Sequence, residues 1–155
     1  MTSEHKSIIK FYFSNYRENK RRIEQLREQV VNAKLTPNYS PKTGKRVKGQ
    51  NNGEEQLVDA LNTIDELEKW CKVYEKTKDT YFFDNIKRRF IEWKFERGKS
   101  VTQIVNGVYI CEDTYFRWLD EILTLADNWA KDKEIEAYNN TEEYERYQKR
   151  GRHRT

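Results

Sequence analysis

Residues 100–123, SVTQIVNGVYICEDTYFRWLDEIL, decide how this chain is read. Apolar residues recur three or four apart on both sides of a short break, the spacing of two short helices joined by a tight turn. That spacing predicts a helix-turn-helix, in which a few buried side chains set the second helix at an angle suited to a groove. Ile104 and Val105 fall on the inner face of the first helix, and Val108 and Ile110 plug the turn. Tyr115 and Trp118 anchor the second helix from beneath, and Ile122 continues their stripe. Cys111 takes the N-cap position, which Ser often fills in such motifs. Val105 stands where a small Ala is usual, and Tyr109 where Gly is usual. A Tyr at positive φ is strained, so the turn is expected to be longer or differently shaped, with Gly107 taking over the turning role.

Working outward, residues 80–97 predict a preceding helix with Phe83, Ile86, Phe90 and Trp93 facing inward, ended by Gly98 in the usual place of a helix-stopping glycine. Within the motif the short helix is expected over 100–106, and the longer one over 112–137. Upstream, residues 4–34 read as one long amphipathic helix, with neither Gly nor Pro to interrupt it. A second long helix is predicted over 54–78, with Leu57, Leu61, Ile64, Leu67, Cys71 and Tyr74 on one stripe. Both stripes are narrow, so these helices are expected to pack on each other or on a second subunit. Between them, residues 36–53 hold both prolines, three of the six glycines and four basic residues with no acidic one. That composition predicts a flexible basic linker. The reading divides the chain into an N-terminal helix (1–35), the linker (36–53), a helical domain (54–138) and a basic, disordered tail (139–155).

Composition agrees with a lean, all-α protein. Hydrophobic residues make up 35% and charged residues 36%, which alone would suit a disordered chain. The 4 Trp, 10 Tyr and 7 Phe argue otherwise, because each aromatic buries a large area and few are needed to build a core. No apolar run approaches the ~18 residues that a membrane span needs, and MTSEHKSIIK lacks the apolar stretch of a signal peptide. Cys71 and Cys111 lie in unrelated segments without metal-ligand spacing and are expected to be reduced thiols in a cytoplasmic protein. The two histidines, His5 and His153, sit in terminal segments, so no triad or three-histidine metal site can be assembled. No catalytic constellation, metal site or cofactor motif is expected, and the linker's KTGKRVKG lacks the frame of a phosphate loop.

Double-stranded DNA is the partner such a motif implies, yet its charge is adverse. From Ser100 to Tyr138 there are three basic residues and eight acidic ones, and phosphate repels that balance. Labour is therefore expected to be divided. Glu112, Asp113, Phe116 and Arg117 would face base edges. Basic clusters elsewhere would hold the backbone: Lys42, Lys45, Arg46 and Lys48 in the linker, Lys87 and Arg88 on the third helix, Arg150 and Arg152 in the tail. The basic runs on the helices, residues 20–22 and 87–89, are more simply read as solvated faces, whereas the linker and tail favour nucleic-acid contact.

Three segments carry a family likeness: EEQLVDALNTIDELEKW (54–70), FFDNIKRRFIEWKFERGKSVTQI (82–104) and ICEDTYFRWLDEILTLADNWA (110–130). Together they resemble the ArpU/RinA/LtrC group of late-gene transcriptional regulators from phages and prophages of low-GC Gram-positive bacteria. The resemblance implies a sigma-region-4-like helix-turn-helix behind long N-terminal amphipathic helices. It also implies activation of phage late genes by recruiting RNA polymerase, in the cytoplasm of a bacterial host. Carried onto this chain, it places Thr114 near phosphate. A DNA reader of this size is expected to pair as a homodimer across two half-sites. Two other readings stay open: a small-terminase-like DNA-packaging protein, and a helical adaptor that contacts RNA polymerase without touching DNA.

Overall fold

The computed structural model describes residues 2–35 and 50–133, and every regular element among them is helical. The helices are α1 (Ser3–Ser14), α2 (Tyr16–Leu35), α3 (Gln50–Thr80), α4 (Asn85–Ile91), α5 (Val101–Val108) and α6 (Glu112–Asp132). A π-helical turn, Glu92–Glu96, continues α4. The all-α expectation holds. Lys42, Lys45, Arg46, Lys48, Arg150 and Arg152 lie outside the described residues, as does the predicted tail. The helix predicted over 54–78 starts earlier, at Gln50, and takes in the end of the predicted linker.

The described residues form two compact units, one within Glu18–Glu68, the other comprising those up to Arg17 and those from Lys69 to residue 133. In the former, α2 buries Ile23, Leu26 and Val30, and α3 buries Ile64 and Leu67. The Arg27 guanidinium pairs with the Glu68 carboxylate. Val31, Val58 and Leu61 remain exposed, as expected of a pair of narrow stripes.

The latter unit holds the aromatic core. Ile9 and Phe13 of α1 join Trp70, Val73 and Tyr74 of α3, Phe90, Ile91 and Phe95, and the inner faces of α5 and α6. Phe13 meets Tyr74 and Phe95 edge-on at ring-centroid distances of 5.1 and 5.3 Å, and Tyr12 stacks on Trp70 at 4.5 Å. These are the offset and edge-to-face packings that aromatic quadrupoles favour. The α1 segment is thus part of the helical domain's core, which the division at residue 35 did not foresee.

Two helix boundaries differ from expectation for local reasons. The single helix predicted over 4–34 is broken at Asn15, whose backbone N–H and side-chain Nδ2 both donate to the Phe11 carbonyl, at 3.2 and 2.7 Å. A short amide side chain competes with the helix ladder in this way without any Gly or Pro. The helix predicted from residue 80 starts instead at Asn85. Asp84 caps it, accepting from the Lys87 N–H at 3.1 Å, while the Thr80 hydroxyl turns back to the Lys76 carbonyl. Phe83 and Ile86, expected inside, are therefore outside: Phe83 stands 96% exposed in the corner and Ile86 faces solvent on α4. Phe90 is fully buried as expected, and Trp93 is half-buried in the π-helical turn. Gly98, at φ 60°, ends that turn in the left-handed conformation, with the Lys99 N–H donating to the Trp93 carbonyl at 2.9 Å.

Candidate functional site

The segment from Ser100 to Leu123 is two helices and a turn. Ser100 opens α5 with a reciprocal cap: its hydroxyl accepts from the Gln103 N–H, and the Gln103 side chain accepts from the Ser100 N–H. Eight residues are too few for a helix to persist alone in water, so capping and burial must hold α5. Ile104 and Val108 are buried, and Val105 and Ile110 pack against the core more openly. The Ile110 N–H reaches back to the Val105 carbonyl at 3.2 Å, closing the helix end as a left-handed cap does.

Tyr109 makes that closure, at φ 58° and ψ 50°. Gly107 does not take over the turning role; it lies within α5. A Cβ placed there would sit 1.9 Å from Cζ3 of Trp93, so the glycine lets the indole ring approach the helix closely. Tyr109 accepts the left-handed backbone at a cost of about 1–2 kcal/mol relative to the right-handed region. Its ring is 92% exposed, so packing does not offset the strain.

Helix α6 has two unlike faces. Tyr115, Leu119, Ile122, Leu123, Ala126 and Ala130 are buried, at the three- and four-residue spacing of one helical face. Trp118, expected to anchor from beneath, is half-buried against Phe90 at 5.9 Å. The opposite face presents Glu112, Asp113, Phe116 and Arg117 to solvent, with Thr114 half-exposed at its margin. Cys111 caps the helix in extended conformation, its Sγ 3.2 Å from the Thr114 hydroxyl. That hydrogen bond holds the thiol below its ordinary range.

The structure redistributes the acidic charge that the sequence places here. Asp120 pairs with Lys6 of α1 at 2.7 Å, Glu121 with Lys87 of α4 at 3.2 Å, and Asp127 with Lys131 at 3.1 Å. Burial, then Glu121, pushes the Tyr81 phenol up to about 12. Glu112 and Asp113 remain in the first turn of α6, where the helix dipole favours anions. Among the described residues the ion pairs of α6 thus fall beyond Arg117, at Asp120, Glu121 and Asp127. An open groove of about 630 Å³ is bordered by Tyr81, Phe116, Arg117, Asp120, Glu121 and Leu125.

Among the cations singled out for phosphate, Lys87 is committed elsewhere. It bonds both Glu121 carboxylate oxygens and lies 5.4 Å from the Tyr81 and Trp118 ring centres. Arg88 sits over Phe82. Sequence reasoning missed a closer set in KFERGK, residues 94–99. The Lys94 ammonium lies 5.8 Å from the ring of Tyr115, in the first turns of α6, and the Lys99 ammonium lies 3.9 Å from the ring of Trp93, which packs on α5. Arg97 is exposed between them. From Asn85 to Lys99 there are six basic residues and two acidic ones, and that imbalance was the available signal.

No described helix is long and apolar enough to cross a membrane. Comparison with known proteins finds no matching family model, no matching curated protein and no matching solved structure.

Proposed function

We propose that the chain is a sequence-specific DNA-binding regulator of transcription, in which α5 and α6 act as a sigma-region-4-like helix-turn-helix. The observation that carries this reading is the exposed start of α6. Glu112, Asp113, Phe116 and Arg117 share an exposed face whose underside is fixed by Tyr115 and Leu119, so a reading edge is held out on a rigid support. Phosphate attraction comes from the flanks, from Lys94, Arg97 and Lys99, with Thr114 near the backbone. The acidic middle of α6 is compensated by Lys6, Lys87 and Lys131, which lowers the repulsion that the local charge count suggests.

The likeness to ArpU/RinA/LtrC regulators points to activation of phage or prophage late genes by RNA polymerase recruitment in the cytoplasm of a bacterial host, with homodimer formation on two half-sites. No enzymatic chemistry is assigned. The test is binding to duplexes selected from a random library by the full chain. Arg117→Ala is expected to weaken the selected site by about 1–3 kcal/mol, the worth of one good base contact, and to relax preference at one position. Unchanged affinity would show that α6 does not read bases.

A second reading, the polymerase-facing adaptor, is favoured by the open groove beside Phe116, whose Tyr81, Phe116 and Leu125 suit an apolar peptide segment. Failure to enrich any duplex at low salt, with polymerase still bound, would select it.

A further inference from the structure

Two left-handed residues bracket this region, and they are filled differently. Gly98 takes φ 60° with the residue that adopts it freely, whereas Tyr109 takes φ 58° with a bulky ring in open solvent. Among the described residues nothing packs closely on that side chain, which is 92% exposed. Gly at 109 would close the same turn with less strain, so the tyrosine's use lies outside the monomer.

Resting on the DNA-binding reading, we infer that Tyr109 is a specificity-determining residue and that it and Phe116 read thymine methyl groups in the major groove. Tyr109 ends α5 three residues before Glu112, so its Cα lies within about 10 Å of the start of α6. Phe116, 55% exposed, follows one helical turn later, so the two rings are anchored within about 16 Å, or roughly five base-pair steps. In unmodified DNA the major groove offers one apolar group, the C5-methyl of thymine, and that is the group an aromatic ring entering the groove can use. The neighbouring groups agree. Glu112 and Asp113 are acceptors, suited to the amino group of cytosine, and Arg117 is the lone guanine reader on this face. The half-site is therefore thymine-rich, with cytosine beside it and a single guanine contact.

The experiment takes the duplex enriched by the full chain and replaces each thymine singly by uracil, which removes only the methyl. Two sensitive positions are expected, no more than about five base pairs apart, each losing about four-fold in affinity, the worth of one buried methyl-sized group. Tyr109→Gly should abolish the sensitivity at one position and Phe116→Ala at the other. Tyr109→Gly should at the same time raise the melting temperature, since the turn is relieved; a ring with a merely structural role would not separate the two effects. Tyr109→Phe should keep the sensitivity, because the methyl contact needs the ring and not the hydroxyl; its loss in that variant would assign Tyr109 to phosphate instead and overturn the inference. An enriched duplex indifferent to uracil at every position overturns it while leaving DNA binding intact. If no duplex is enriched, the DNA-binding reading fails and this inference fails with it.

Discussion

Glu96 shows how much one carboxylate can organise in so lean a core. Its Oε2 accepts from the Tyr74 hydroxyl at 2.8 Å and from the Lys78 ammonium at 3.1 Å, and Arg17 lies 3.7 Å from its Oε1. Burial raises its affinity for a proton, but Tyr74, Lys78 and Arg17 act against that more strongly and hold the carboxyl below its ordinary range. Burial, with Glu96 beside it, pushes the Tyr74 phenol far above its usual value. Burial also pulls Lys78 down, and the carboxylates of Glu92 and Glu96 more than offset it. A depressed acid gives stability that is complete above the unfolded carboxylate value and is lost as pH falls through the lower, folded one. Stability should therefore decline from about pH 5 downward. Glu96→Gln should be less stable near neutral pH by about 1.5–3 kcal/mol, the range for hydrogen bonds to a charged group. Its acid limb should also be shallower. Denaturant titrations at a series of pH values check both, and parallel limbs for the two proteins would remove Glu96 from the account.

At the scale of elements, the helix pair of residues 100–123 was the most legible part and its supports were the least. The apolar spacing of residues 100–123 marked α5 and α6 because Ile104, Val108, Tyr115 and Ile122 obey the helical period and are buried. The break at Asn15 and the late start of α4 rest on single side-chain hydrogen bonds from Asn15 and to Asp84, and periodicity does not register these. Phe83 was misplaced for the same reason: its spacing fits a helix that Asp84 does not allow to begin. The contact between α5 and the π-helical turn was also hidden, since nothing local to Gly107 names Trp93 as its neighbour. It makes a sharp expectation. Gly107→Ala drives a methyl into the indole, which must swing outward and release Lys99 from its face. Overpacking of this kind costs about 1–3 kcal/mol. A fall of several degrees in Tm, largely relieved when Trp93→Leu is combined with it, would establish the contact; an unchanged melt would refute it.

On the scale of the molecule, the question is whether α1 is an appendage or a structural member. Reading residues 1–35 as a separate helix makes it removable. The packing says otherwise. Ile9 and Phe13 have no exposed surface, Tyr12 covers Trp70, Lys6 neutralises Asp120 on α6, and His5 lies 3.7 Å from the buried Asp127 carboxylate. Burying Ile9 and Phe13 alone contributes about 1.5–3 kcal/mol each. A domain of this size has about 5–15 kcal/mol in all, so the loss of α1 removes a large fraction of it. A chain starting at Tyr16 should melt at much lower temperature with lost cooperativity, and Phe13→Ala should reproduce much of the effect, at about 3–5 kcal/mol. On the proposed DNA-binding role, both should also abolish duplex binding, since the α6 edge is held out only while its underside is packed. Calorimetry on the two variants separates the cases. A truncated chain that melts cooperatively near the full-length temperature would show that the C-terminal helices fold without α1.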